Sequence, residues 1–183
     1  AIAPDLYTRE APIENWRDMS AMRQLTQSIP DERILKDLEA AVEHLSELTF
    51  VDHHRIASVG FCMGGLYSFL LSAQTTQLRA AVDFYGRVAY PSRTEYRPNA
   101  PIDVVENVSC PILGIFGSAD QVVPVDDVKR LKNELMANRK AFQIKIYPDA
   151  PHAFFNDTRE FYRQDMAEDA WKRMLSFLHK HMK

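Results

Sequence analysis

Three residues have the types and positions that acyl transfer needs: Cys62, Asp120 and His152. Cys62 sits in "VGFCMGG", with Gly60 and Gly64 two residues to either side. As a thiolate, a cysteine attacks carbonyl carbon. A histidine within reach takes the proton and later returns it, and a carboxylate holds the imidazole in the working tautomer. His152 lies in "YPDAPHAFF" and Asp120 closes "GIFGSAD". Other acids compete for the third role. Asp126 and Asp127 fall in the first turn of a helix, where carboxylates offset the dipole, and Asp149 precedes His152 by only three residues. Asp120 is the best placed of the four, on a loop after a buried strand. Taken singly, each residue has a plainer reading, since a lone cysteine before a helix is commonly a small buried hydrophobe. Together, the glycine spacing, the strand ends and the chain order favour the chemical one.

The elements that would position these residues alternate. "RIASVGF" (55–61) reads as a strand running into Cys62, and "GGLYSFLLSA" (64–73) as a nearly all-apolar helix leaving it. "RAAVDFYG" (79–86), "PILGIFG" (111–117) and "FQIKIY" (142–147) read as further strands. Helical spacing marks Ile34, Leu35, Leu38, Ala41, Val42, Leu45 and Leu48, then Val125, Val128, Leu131 and Leu135 behind Pro124. A last helix carries Met166, Ala170, Trp171, Met174, Leu175 and Leu178 on one face. "AIAP" reads as the end of a buried strand stopped by Pro4. This alternation predicts an α/β fold over 1–183, one domain with a mostly parallel sheet and helices on both faces. Active sites of such sheets lie at the carboxyl ends of the strands, where all three residues fall.

The glycines have a mechanical reading. A nucleophile on a strand-to-helix turn adopts a strained backbone, and Gly60 and Gly64 remove Cβ atoms that would otherwise collide. The helix beginning at Met63 points its N-terminus at the thiol and favours thiolate. The Met63 backbone N–H is then one donor of an oxyanion hole.

Composition narrows the alternatives. The chain has 183 residues, 46% hydrophobic, with a formal net charge of −3, which gives no electrostatic case for nucleic acid or an anionic membrane. No apolar run reaches membrane-spanning length, and no basic-then-apolar stretch reads as a secretory signal. Two cysteines, Cys62 and Cys110, make no disulfide framework, so a reducing, cytoplasmic setting is expected. His53–His54 and His179/His181 lack the spacing of a zinc site, and no nucleotide-phosphate loop occurs, so no metal or cofactor is expected. Redox chemistry at Cys62 lacks a resolving cysteine nearby in sequence. The irregular segment 87–109, with Tyr90, Arg93, Tyr96 and Arg97, reads either as a pocket rim or as a solvated connection.

At these residues the sequence resembles the dienelactone hydrolase (carboxymethylenebutenolidase-like) family of the α/β-hydrolase fold. The matching pieces are "PDLYTR" (4–9), "VGFCMGG" (59–65), "FYG" (84–86), "GIFGSADQVVP" (114–124) and "YPDAPHAFFND" (147–157). The resemblance implies a cysteine hydrolase of lactones or related esters, with Cys62, Asp120 and His152 as its triad and no cofactor. It implies that Arg9 binds a substrate carboxylate and that Tyr85 lines the site. The family's second carboxylate-binding arginine falls at Asn156, a neutral amide that cannot pair bidentately. Dienelactone itself is therefore in question as substrate.

The same resemblance aligns "AIAPDLY" with the fourth strand of the family fold and finds no counterpart for the three strands before it. Those strands carry the second oxyanion donor and a glutamate that meets the thiol in the family. The expectation is a C-terminal three quarters of the fold, weakly stable or weakly active alone. Its front is truncated, is supplied by another chain or segment, or is bypassed by the fourth strand pairing beside the Cys62 strand. Oligomeric state stays open between monomer and homodimer. The rival functional expectation is a non-catalytic fragment or subunit serving as an interaction module.

Overall fold

The computed structural model describes residues 1–10 and 19–183. Its centre is a parallel sheet of β1 (Ala57–Phe61), β2 (Ala80–Phe84), β3 (Ile112–Gly117) and β4 (Phe142–Tyr147), in spatial order β1-β2-β3-β4. The register pairs Gly60 with Asp83, and Asp83 with Gly114. The helices are α1 (Met19–Ser28), α2 (Asp31–Glu47), α3 (Met63–Gln74), α4 (Val125–Ala137) and α5 (Gln164–His181). None of them is long and apolar enough to cross a membrane.

The strands form where short apolar runs are bounded by polar or turn residues, and parallel pairing requires each to be covered on both faces. β2 and β3 are buried at every position. Alternation then assigns their side chains. Ala81, Ile112 and Phe116 pack with Phe69 and Leu71 of α3, Val42 of α2 and Val128, Leu131 and Leu135 of α4. Ala80, Val82, Phe84, Leu113 and Ile115 pack on the opposite face against Ala170, Met174 and Phe177 of α5. A third cluster joins α2 to α3 through Ile34, Leu66, Tyr67 and Leu70, with Tyr7 and Ile29. α3, apolar nearly all round, is buried from Gly65 to Ser72 because it lies between the sheet and these neighbours.

Several expectations are corrected. Residues 1–5 form no strand and are largely exposed, so "AIAP" neither ends a buried strand nor pairs beside β1. Among the described residues β1 pairs with β2 only, and Val59 and Phe61 on it are 41% and 40% exposed. The apolar stripe expected along α5 divides: Ala170 and Met174 are buried, but Trp171 and Leu175 are about half exposed. The buried line instead runs through Ala167, Ala170, Met174 and Phe177, of which the last three pack with β2 and β3. α1 (Met19–Ser28) is a helix that the apolar spacing does not predict.

Candidate active site

The turn between β1 and α3 places Cys62. Its backbone has φ 54° and ψ −115°, a left-handed region that L side chains rarely adopt. The turn is fixed by Cys62 N–H donating to Phe84 O at 2.9 Å and Leu66 N–H to Cys62 O at 3.1 Å. Close backbone approach explains Gly60, where a Cβ would meet the Gly64 carbonyl and lie 2.6 Å from Gly65 N. Gly64 is different, since a Cβ there meets nothing within 4 Å among the described residues. The steric pair is Gly60 with Gly65, whose Cβ would lie 2.8 Å from Phe84 O, and not Gly60 with Gly64.

Cys62, His152 and Asp120 come together from three strand ends. His152 Nε2 lies 3.1 Å from Cys62 Sγ, and His152 Nδ1 lies 2.7 Å from Asp120 Oδ2. The other Asp120 oxygen accepts the backbone N–H groups of Val122 at 2.7 Å and Val123 at 2.8 Å. The Asp120 side chain is fully buried, while Cys62 is exposed. Burial opposes the Cys62 thiolate. The His152 hydrogen bond and charge, with the Met63 backbone N–H, outweigh it and hold the thiol below its ordinary value. Burial likewise opposes the imidazolium, but the hydrogen bonds to Asp120 and Cys62 prevail and push the His152 pKa up to about 9. The thiol and imidazole are thus biased towards a thiolate–imidazolium pair.

Tyr85 follows β2 with φ 43°, is buried, and sets its ring edge-on to His152 at 5.1 Å between centroids. Beneath the elbow lies Asp83, buried at 1% exposure, with Gly60 and Gly114 as register partners and Gly65 and Gly86 above. Its Oδ1 accepts Gly86 N–H at 2.7 Å, and its buried Oδ2 has no hydrogen-bond partner among the described residues. Burial pushes the Asp83 pKa up to about 7.

Cys62, Met63, Tyr85 and His152 line one cavity of about 680 Å³. Its far wall is built by Arg87, Tyr90, Ser92, Thr94 and Arg97, so part of the segment 87–109 is a pocket wall. That wall is anchored on buried Asp31, which accepts Tyr67 Oη at 2.7 Å, Tyr90 Oη at 2.8 Å and Arg97 at 3.0 Å. Two expected substrate residues lie elsewhere. Arg9 is ion-paired with Asp37 and is absent from the cavity lining. The Asn156 side chain accepts from Thr158 N–H at 3.0 Å and Thr158 Oγ1 at 2.7 Å, closing its own turn outside the cavity. Arg87 was not singled out in the sequence. Its signal is its place directly after "FYG", at the strand end beside the strand that leads into Cys62.

The family model described as "Dienelactone hydrolase family" matches residues 1–182. The chain belongs to the dienelactone hydrolase family. A Methylorubrum extorquens protein named "Putative carboxymethylenebutenolidase" is 34% identical over 175 residues, 95% of this chain and 60% of that protein. A Bradyrhizobium protein named "Probable 2-oxo-3-(5-oxofuran-2-ylidene)propanoate lactonase" is 35% identical over 85% of this chain and 62% of its own length. The crystal structure of a "Putative Dienelactone Hydrolase" from Klebsiella pneumoniae superposes with a TM-score of 0.91 at 32% identity, covering 97% of this chain and 73% of that one. This family chain thus has the α/β-hydrolase fold and spans about 60% of the length of the two curated relatives.

Proposed function

We propose that this chain carries the catalytic centre of a cysteine-dependent hydrolase of lactones or related carboxylic esters. The observation that supports this best is the continuous contact from Asp120 through His152 to the exposed sulfur of Cys62, at 2.7 Å and 3.1 Å, on the wall of an open cavity. Family membership and relatives named as lactone hydrolases point the same way. An inert interaction module would be expected to occlude Cys62, which is exposed.

In this reading the Cys62 thiolate adds to the substrate carbonyl, and the Met63 N–H helps hold the oxyanion. The intermediate collapses with cleavage of the acyl C–O bond. His152 gives its proton to the departing alkoxide, which stays tethered if the substrate is a lactone. The thioester remains on Cys62. Water then attacks it as His152 accepts a proton, the acid is released, and the thiol–imidazole pair is restored. Asp120, held by two backbone N–H groups, orients His152 throughout.

The test is hydrolysis of p-nitrophenyl acetate. Cys62→Ala is expected to lose at least about 100-fold in kcat/KM with an unchanged melting temperature. Equal activity in both proteins would overturn the assignment.

A further inference from the structure

We infer that Asp83 is a positioning residue that works as a neutral acid: carrying its proton, it holds the turn at Tyr85–Gly86 against the Cys62 elbow. Its catalytic consequence rests on the reading of Cys62, His152 and Asp120 as the hydrolytic centre.

Three carboxyl side chains are buried among the described residues: Asp31, Asp83 and Asp120. Two of them are surrounded by donors. Asp31 accepts from Tyr67, Tyr90 and Arg97. Asp120 takes two backbone N–H groups on one oxygen and His152 on the other. Asp83 has the Gly86 N–H on Oδ1, and nothing among the described residues donates to its buried Oδ2. A carboxylate with one donor and no counter-charge is costly to bury, and the neutral acid costs far less. The proton belongs on Oδ2.

Among the described residues, the elements around Asp83 supply no opposing charge. Its register partners are Gly60 and Gly114, and β1 and β3 contain no titratable residue. On α3, whose Gly65 abuts the carboxyl, the one titratable side chain is Tyr67, engaged by Asp31. Cys62 at the elbow is paired with His152, and Tyr85 and Arg87 follow Asp83 along the chain. Burial and the Gly86 N–H are what act on the Asp83 carboxyl, and burial prevails.

The carboxyl fills space that two glycines leave open. A Cβ on Gly86 would lie 2.5 Å from Oδ1, and one on Gly65 would collide with it. The hydrogen bond to Gly86 closes a turn over residues 83–86. Within it, Phe84 O accepts the Cys62 N–H at 2.9 Å and Tyr85 takes a left-handed backbone. Tyr85 then sets its ring edge-on to His152. Asp83 is absent from the cavity lining, so it steadies the Cys62 backbone and the ring beside His152 from beneath.

The first experiment is urea unfolding of the chain and of Asp83→Asn at pH 5 and pH 8. The folded protein holds the Asp83 proton up to about pH 7, whereas an unfolded aspartate loses it near pH 4. Proton loss therefore weakens folding of the unaltered chain as pH rises between these values and then levels off. Asparagine stands in for the neutral acid at every pH. The folding constant of Asp83→Asn relative to the unaltered chain is expected to rise about 100-fold from pH 5 to pH 8, about tenfold for each pH unit up to about 7. Any fixed cost of the amide cancels in that comparison. A ratio that stays constant with pH would overturn the proposal. Carbon-13 NMR of the aspartate carboxyls reports the proton directly. One resonance is expected to titrate near pH 7 and to be missing in Asp83→Asn, and titration confined to the ordinary aspartate range would contradict it.

Positioning is read from kcat on p-nitrophenyl acetate. Asp83→Leu (or Asp83→Ala, should the leucine variant not fold) offers Gly86 no acceptor and is expected to lose about 10-fold in kcat with little change in KM. Asp83→Asn keeps the acceptor and is expected to stay within about threefold of the unaltered chain. Full activity in Asp83→Leu, or an equal loss in both variants, would overturn the role. If no form turns the ester over, the hydrolytic reading fails separately. The rate at which iodoacetamide alkylates Cys62 then replaces kcat, with the same expected order and the same contrary results.

Discussion

Cys62 and His152 face one another across 3.1 Å, and each favours the charged form of the other against the cost of burial. The direction of both shifts fixes a pH profile. The Cys62 thiol is depressed, so thiolate appears as pH rises through that lowered value. The His152 imidazolium persists until about pH 9 and is then lost. For a neutral ester kcat/KM is therefore expected to rise, hold a plateau, and fall as pH passes about 9, the two limbs belonging to the pair together. In Asp120→Asn the descending limb should move to lower pH, because the carboxylate that favours the imidazolium is gone. A stopped assay of initial rates across the range checks this, and a profile with no descending limb would contradict the ion-pair account. At this scale the sequence was informative for the grouping of Cys62, Asp120 and His152, because a left-handed turn between two backbones leaves glycines at fixed spacing. It was less so for Arg9, whose guanidinium is occupied by Asp37, a residue that helix α2 brings to it from 28 positions away.

Among the elements, the joint between β1 and α3 does the positioning, and it depends on two glycines more than on a third. A methyl group on Gly65 would press on the Phe84 carbonyl at 2.8 Å and on the Asp83 carboxylate, and backbone cannot retreat as a flexible side chain can. Gly65→Ala should lose roughly 3 kcal/mol of stability or fail to fold. Gly64→Ala, whose Cβ enters open space inside a helix, should keep its melting temperature or gain slightly, since alanine favours helix by up to about 1 kcal/mol over glycine. Thermal melts of the two variants make the comparison, and equal destabilisation would contradict it. The core elements were legible from apolar runs: β3 begins one residue from its expected start, and β4 spans 142–147 as expected. What escaped was decided by tertiary contact. Trp171 and Leu175 share an apolar spacing with Ala170 and Met174 but lie beyond the strip of α5 that the sheet covers. The wall 87–109 has no periodicity to read, because its order comes from Asp31, Tyr67 and Thr26 in other parts of the chain.

For the whole molecule, parallel pairing in the order β1-β2-β3-β4 gathers the three side chains of the candidate site, since Cys62, Asp120 and His152 each follow the carboxyl end of a strand. That arrangement was legible from the order of motifs along the chain, because a sheet built of parallel strands brings all its strand ends to one side. The position of the first residues was not. "AIAP" has strand composition, yet no neighbouring strand pairs with it among the described residues. The central claim about the molecule is that its chemistry passes through a covalent bond to Cys62. The direct measurement is to mix the chain with p-nitrophenyl acetate, quench in acid before steady state, and map the acetyl group by peptide mass spectrometry. The account predicts an acetyl thioester on the peptide containing Cys62, with a matching burst of p-nitrophenol and no adduct in Cys62→Ala. Turnover without that thioester, or with the acetyl group on another residue and undiminished in Cys62→Ala, would contradict it.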